Sequence, residues 1–180
     1  MIRYILLGFL KYKPMTGYEL KQTIDHSTAH FWHAHHSQIY TTLRQMEAQG
    51  LVTSQMVFEE GQPNKRIYQI SEAGRKALDE WLAQPLLEMS TIKEELLVRL
   101  FFSAQRDPLQ VLAELAFQRQ LHQQKLAQYQ ALTEIQHVEE NAPALQRDAA
   151  FWRATLEMGI RYETTYLGWL EDTMRMIETL

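Results

Sequence analysis

The sequence has no cysteine, so a disulfide framework, a thiol nucleophile and thiolate metal sites are excluded. No apolar stretch approaches the roughly 20 residues that a helix needs to span a bilayer. The apolar run at 4–10 ends at Lys11 and has no small-residue cleavage site behind it, so it predicts a buried helix and not a signal peptide. We therefore expect a cytoplasmic protein without a membrane partner.

Positive charge is also scarce, because the net charge of the 180 residues is −4. This total does not by itself indicate a nucleic-acid-binding protein, which needs basic surface against phosphates. The charge is unevenly distributed: residues 1–85 have nine Lys and Arg against eight Asp and Glu, whereas residues 86–180 have nine against fourteen. The acidic excess therefore belongs to the second half of the chain.

Apolar residues make up 46% of the chain, which is enough for a packed core. Their helical spacing predicts three short helices before Gly50, which can end the third. Thr16 and Glu19 have the spacing of a capping box at the start of the second helix, and Ser37 can cap the third. A helical segment thus precedes the first sign of strands.

Alternating apolar residues at 52–59 and 65–70, separated by a polar turn with Gly and Pro, predict two antiparallel strands. A fourth helix follows, capped by Ser71 and stopped at Pro85. Three helices, a hairpin and a further helix predict an N-terminal winged helix-turn-helix domain with a two-stranded β wing over residues 1–85.

The tail, residues 91–180, has only helical patterns, so the protein is predicted to be mainly α. Three helices are indicated, of which the second begins at Asp107 and Pro108 and extends to about residue 139. Apolar stripes of this length are most easily buried by a second subunit, and we predict an all-helical dimerisation domain. The expected dimerisation residues are Leu97, Phe101, Trp152, Leu156, Ile160, Tyr166, Leu167, Leu170 and Met174.

A winged helix binds DNA with its third helix in the major groove and its hairpin tip on the neighbouring backbone. Gln38 and Arg44 have donors that can read bases or hold phosphate, and Tyr40 is either core or a phosphate contact. Lys65 and Arg66 place two cations beside the turn. An ordinary solvated face and a solubilising charge pair are the alternatives. The candidate DNA-binding residues are Thr16, His36, Ser37, Gln38, Tyr40, Thr41, Arg44, Asn64, Lys65 and Arg66.

Five histidines, His26, His30, His33, His35 and His36, could in principle meet around zinc or nickel. They include no i, i+4 pair on an established helix and no H-E-x-x-H motif, and polar residues near DNA are the alternative. The sequence also has no Gly-rich phosphate loop and no nucleophile elbow. We therefore expect no metal, no cofactor and no enzymatic activity.

The first half contains a specific combination of motifs. They are YILLGFL from Tyr4, TGYELKQ from Thr16, FWHAHHSQIYTTLRQMEAQGLV from Phe31 and GQPNKRIYQISEAGRKALDEWL from Gly61. In order and spacing they resemble the PadR family of transcriptional regulators over nearly all of residues 2–85. The resemblance implies a dimer that contacts DNA with the third helix and the wing, with the family's tyrosine at Tyr40. Thr41 departs from the proline that family members often have there.

The helical tail resembles the longer-tailed branch of this family, which includes phenolic-acid repressors and virulence activators. A homodimer paired through the tail would place its two third helices roughly 34 Å apart, on half-sites of a pseudo-palindromic double-stranded DNA. The expected function is then repression, or less often activation, by occupancy of a promoter. The resemblance also suggests a small phenolic or other aromatic effector stacked on tail aromatics, for which core packing is the alternative. The near-neutral charge of residues 1–85 keeps a second hypothesis open, a helical protein-interaction module whose winged helix does not bind DNA.

Overall fold

A computed structural model of the chain describes residues 1–28, 31–58, 64–91, 93–132 and 142–180. The chain divides into two compact units, residues 1–90, here called the N-terminal unit, and residues 91–180, the C-terminal unit. Both contain mainly helices, as predicted. In the described ranges, no helix combines the length and apolarity that crossing a membrane requires.

The N-terminal unit has the predicted order of elements. It consists of α1 (Ile2–Tyr12), β1 (Met15–Thr16), α2 (Gly17–Ser27), α3 (His36–Ala48), β2 (Val52–Val57), β3 (Lys65–Ile70) and α4 (Glu72–Ala83). The strands form an antiparallel sheet in the order β1-β3-β2, in which Met15 pairs with Tyr68 and Val52 with Ile70. The hairpin was predicted, but β1 was not, because two residues after Pro14 are too few to show an alternating pattern.

Local signals explain most helix ends in this unit. The side chain of Thr16 accepts a hydrogen bond from the Glu19 amide, and the Glu19 side chain accepts one from the Thr16 amide, which confirms the capping box of α2. Gly50 has φ of +70°, the left-handed conformation that ends α3 at no steric cost. The prediction of Ser37 as the cap of α3 was wrong, because His35 precedes the first helical residue and its amide donates to Gln38 Oε1 at 3.1 Å.

The core of the N-terminal unit is a single apolar cluster that draws on every helix and all three strands. Its buried members are Leu6, Leu7, Leu10, Met15, Leu20, Ile24, Ala34, Ile39, Leu43, Met46, Val52, Tyr68, Ile70 and Leu78. Because α3 contributes Ile39, Leu43 and Met46 to this cluster, its opposite face is fixed toward solvent.

The C-terminal unit is built on two long helices. Its elements are α5 (Glu95–Phe101), a 3-10 turn (Ser103–Gln105), α6 (Pro108–Gln130), a second 3-10 turn (Pro143–Leu145) and α7 (Gln146–Glu178). Asp107 caps α6, accepting a hydrogen bond from the Leu109 amide at 3.0 Å. The structure ends α6 at Gln130, and the predicted continuation beyond residue 132 lies outside the described residues.

In this unit α6 packs along α7 around a smaller apolar cluster of five buried residues, Leu96, Val111, Leu115, Leu170 and Ile177. A polar pair lies in the same contact: His122 Nδ1 is 2.5 Å from Glu163 Oε2, and Glu163 is only 6% exposed. The His122 ring also stacks on Tyr166, with ring centroids 4.0 Å apart. A buried polar group is tolerated here because it has a partner.

Candidate nucleic-acid interface

The outer face of α3 is exposed along its length. His36, Ser37, Gln38, Thr41 and Arg44 are all exposed, and their side chains are opposite the three that enter the core. The Arg44 side chain is exposed, and its Nε donates to the Tyr40 carbonyl oxygen at 3.4 Å. The structure therefore brings the candidate residues of this helix together on one polar surface.

Two candidate residues serve helix caps as well. Thr16 Oγ1 accepts from the Glu19 amide at 3.2 Å, and its amide donates to Glu19 Oε2 at 2.7 Å. The hydrogen bond from the Thr16 backbone is the main reason that the pKa of Glu19 is lowered. Gln38 has the corresponding role at the start of α3 through His35. These side chains hold the N-terminal turns of α2 and α3 in place.

Tyr40 lies at the edge of the polar face and is 40% exposed, so it is not a core residue. Its ring contacts the first turn of α2, where a Cβ atom added at Gly17 would be 2.6 Å from Tyr40 Cε1. The His36 ring stacks beside it at 6.3 Å between centroids. The glycine of the TGYEL motif thus makes room for the tyrosine of α3, a long-range reason for a residue that looked purely local.

Arg66 is hydrogen-bonded to both α3 and β2. Its Nη2 donates to Glu47 Oε2 at 2.7 Å, and its Nε donates to Ser54 Oγ at 2.7 Å. The Ser54 hydroxyl donates in turn to Glu47 Oε1 at 2.5 Å. This hydrogen bond, followed by the one from Arg66, lowers the pKa of Glu47. Three side chains therefore connect α3 to both strands of the wing.

The sequence-based prediction missed Glu47, Ser54 and Gly17. Glu47 follows Tyr40 by seven residues and Arg44 by three, so helical spacing places all three on one side of α3, a signal that was available. No comparable signal marks Ser54, whose partner Glu47 is fixed only when β2 folds back on α3.

The Arg66 guanidinium also lies 5.6 Å from the ring centroid of Tyr68, and burial raises the pKa of this tyrosine.

At the wing, Asn64 and Lys65 are exposed at the start of β3, and Lys65 pairs with Val57 across the hairpin. The tip at 59–63 lies outside the described residues. An open cavity of about 510 Å³ lies beside the N-terminal half of α3; it is lined by Met1, Ile2, Trp32, His33, Ser37, Gln38, Thr41 and Thr42. The candidate surface therefore has a recess next to its polar face.

The histidines between positions 26 and 36 are candidate metal ligands in the sequence. His30 lies outside the described residues, and among those that are described no three His, Asp or Glu side chains are close enough to hold an ion. His35 is the N-cap of α3, and His36 is the first residue of that helix.

The helix α3 with its exposed polar face, followed by the β2–β3 hairpin, defines a winged-helix protein. The family model described as "Transcriptional regulator PadR-like family" matches residues 6–80, and the model described as "Virulence activator alpha C-term" matches residues 92–178. The N-terminal unit therefore matches the PadR-like family of transcriptional regulators, as its motifs predicted, and the C-terminal unit matches the C-terminal region of the virulence-activator type.

Similar proteins extend this match over the whole chain. The negative transcriptional regulator PadR of Bacillus subtilis is 25% identical over 180 residues, which cover 99% of this chain and 98% of the relative. Its crystal structures with operator DNA and with p-coumaric acid match at TM-scores of 0.83 and 0.75, each at 23% identity over 98% of both chains. The Vibrio cholerae virulence activator AphA matches at a TM-score of 0.76 and 25% identity over 99% of both chains. These matches confirm the predicted fold class.

Proposed function

We propose that this protein is a sequence-specific DNA-binding regulator that acts as a homodimer in the cytoplasm, where it represses transcription by occupying a promoter. The observation that carries the proposal is the exposed polar face of α3, held beside the wing by Glu47 and Arg66. The B. subtilis relative, whose name describes a negative regulator, crystallised on operator DNA, which supports the same role for this chain. No catalytic step is part of the proposal.

The side chains on this surface divide by the contacts that they can make. Gln38, Thr41 and Arg44 project from α3 and can reach base edges in the major groove. Tyr40 at the helix edge and Lys65 at the wing are placed for phosphate oxygens, which fix orientation and not sequence. The remaining proposed contacts are Thr16, His36, Ser37, Asn64 and Arg66.

We propose that residues 1–85 form the DNA-binding domain and residues 91–180 the dimerisation domain. On α5, Leu97 is 43% and Phe101 81% exposed, an apolar surface of the kind that marks a protein interface. The proposed α7 positions are half-buried and still have apolar surface to contribute; they are Trp152, Ile160, Tyr166, Leu167 and Met174. Leu156 and Leu170 are already buried within the subunit, and we omit both from the surface.

A symmetric dimer would present its two α3 helices to half-sites of a pseudo-palindromic operator, roughly 34 Å apart. We propose that a small phenolic carboxylate controls this spacing, since the B. subtilis relative was crystallised with p-coumaric acid. The tail aromatics Tyr162, Tyr166 and Trp169 contact one another in series and offer stacking surface. Such an effector must bind the DNA-competent and incompetent dimers with different affinity. A phenolic ligand that binds the dimer and leaves its DNA affinity unchanged would rule this part out.

The test of DNA binding is fluorescence anisotropy with the DNA upstream of the protein's own gene and with a random duplex, each at two salt concentrations. We expect tight binding to the upstream DNA that weakens steeply with salt. Arg44→Ala should weaken it by about 1–3 kcal/mol. Arg75→Ala removes the same charge from the exposed side of α4 and should have little effect. A folded dimer that binds neither duplex at low salt would favour the protein-interaction hypothesis.

The test of dimerisation is sedimentation equilibrium of two charge-introducing variants. Phe101→Glu places a carboxylate in the proposed apolar interface and should shift the protein toward monomer. Leu82→Glu makes a matched change on α4, where Leu82 is 62% exposed, and should leave the dimer intact. Equal behaviour of the two variants would exclude the α5 surface as an interface.

A further inference from the structure

Arg66 has its charge neutralised inside the surface that we propose binds DNA. The Glu47 carboxylate accepts from its Nη2 at 2.7 Å, and Ser54 Oγ accepts from its Nε at 2.7 Å. Ser54 closes the ring by donating to Glu47 at 2.5 Å. Two of the five N–H donors of the guanidinium are therefore already used in the protein without DNA.

The contact between Arg66 and Glu47 is of the same chemical kind as a contact between arginine and a DNA phosphate. Guanidinium groups bind carboxylates and phosphates through the same charge-assisted, directional hydrogen bonds. The Arg66 side chain is 43% and the Glu47 side chain 28% exposed, so both are within reach of an incoming DNA backbone. Glu47 therefore occupies one of the positions from which a phosphate oxygen could accept a hydrogen bond from Arg66.

We propose that Glu47 competes with DNA phosphate for Arg66 and thereby limits the affinity of the protein for DNA of any sequence. The inference rests on the proposed DNA-binding function. Because backbone contacts are independent of sequence, the competition lowers binding to operator and random DNA alike. Glu47 is thus a residue that sets affinity although it need not contact DNA.

The size of the effect follows from the strength of such pairs. Exposed ion pairs are weak, equivalent to at most about a fivefold change in an equilibrium constant. The hydrogen bonds to Ser54 restrain both partners, which places this pair toward the upper end. We expect Glu47→Gln to tighten binding to a random duplex about two- to fivefold per bound subunit, because glutamine keeps the shape and removes the charge.

The experiment is a set of anisotropy titrations with one fluorescein-labelled random duplex at fixed salt, with the fold of each variant checked by thermal unfolding. Glu80→Gln is the matched control, since Glu80 pairs with Lys76 on the exposed face of α4 at 3.8 Å. It adds the same net charge to the N-terminal unit without releasing Arg66. Glu47→Asp keeps the charge and should stay within about twofold of the unmodified protein.

The double variant Glu47→Gln/Arg66→Ala separates competition from direct repulsion of DNA by Glu47. Under competition, Arg66→Ala costs more affinity when Glu47 is absent, so the gain from Glu47→Gln disappears in the Arg66→Ala background. A gain that persists there, or one that Glu80→Gln reproduces, would overturn the inference. If the unmodified protein binds DNA and Glu47→Gln brings no gain, this inference alone fails. If neither binds, the proposed function fails with it.

Discussion

In the N-terminal unit, short helices and a small sheet enclose one cluster of fourteen buried apolar residues; in the C-terminal unit, two much longer helices and the short α5 share a cluster of five. The first unit keeps its polar residues at the surface. The second buries Glu163 in a helix contact and leaves Phe101 and Leu109, both on helices, more than 70% exposed. Among the described residues of the first unit, the large apolar side chains exposed to that degree lie outside its helices and strands; they are Phe58, Leu86, Leu87 and Met89. In the described residues, the first unit therefore keeps its strongly exposed apolar side chains off its helices and strands, whereas the second has such side chains on its helices.

This contrast concerns how each unit buries its apolar residues, by its own folding or with a partner. The N-terminal unit buries its apolar residues in one hydrophobic core, and this burial stabilises the unit without a partner. The helices of the C-terminal unit have exposed apolar side chains that a partner could cover, and we propose that this partner is a second copy of the chain. Four changes would test the comparison, from the largest expected effect to the smallest.

The largest effect is expected for the core of the N-terminal unit. Leu43 of α3 has no exposed surface, and Leu43→Ala should lower the free energy of unfolding by about 3 kcal/mol, since it removes buried methyl groups and leaves a cavity. Urea unfolding at two protein concentrations measures the loss. The same change at Leu82, which is 62% exposed, should cost less than about 1 kcal/mol. Similar losses at the two positions would show that the N-terminal unit lacks the tight core described.

In the C-terminal unit, Glu163→Ala should cost about 2 kcal/mol, because it leaves His122 without its partner in the contact between α6 and α7. Denaturant unfolding followed by circular dichroism measures the effect. Glu157→Ala is the control on the same helix, where the pair with Arg161 is exposed on both sides and contributes about 0.5 kcal/mol or less. A negligible cost at Glu163 would mean that this unit does not depend on its buried polar pair.

The third-largest effect is expected at alkaline pH, which should lower the free energy of unfolding of the C-terminal unit. Burial, followed by the charges of Glu163 for Tyr129 and of Glu94 for Tyr166, raises the pKa of each tyrosine to about 12. Below about pH 10 both are protonated in the folded and unfolded chain, and their contribution is complete. Between about pH 10 and 12 they ionise only when unfolded, so stability falls as pH rises.

The loss should reach about 1.5 kcal/mol, less than two full shifts would give, because Tyr166 is partly exposed. Urea unfolding on either side of pH 10 measures it. The double variant Tyr129→Phe/Tyr166→Phe has no such hydroxyls and should lose the corresponding part of the pH dependence. An unchanged pH profile in that variant would show that these tyrosines do not titrate as stated.

The smallest stability effect concerns the edge of the N-terminal unit. In Gly17→Ala the new Cβ would come within 2.6 Å of Tyr40 Cε1, so the ring must move, at a cost of about 1 kcal/mol and a severalfold loss of DNA affinity. In a Tyr40→Ala background the clash is absent, and alanine should stabilise the helix instead. Thermal unfolding and anisotropy of the unmodified protein, the two single variants and the double variant measure the coupling between positions 17 and 40. Additive effects would mean that the ring and the glycine do not interact.

The sequence by itself determined the helices, the two strands of the hairpin and their order. Periodicity indicated helices and strands, Thr16 and Glu19 marked the start of α2, and Gly50 marked the end of α3, because each signal depends on neighbours within a few residues. The same local patterns placed the candidate residues of α3 on one face. The motifs that they form were enough to predict the family that the N-terminal unit matches.

Only the tertiary structure decided which of these residues have partners within the protein. Arg66 and Glu47 are 19 positions apart, and His122 and Glu163 are 41 apart, so neither pair is visible until strands or helices pack. The same holds for β1, which becomes a strand by pairing with β3, and for Leu170, whose burial depends on α6. Local spacing fixes the side of an element on which a residue lies, but its partner is fixed by packing between distant segments of the chain.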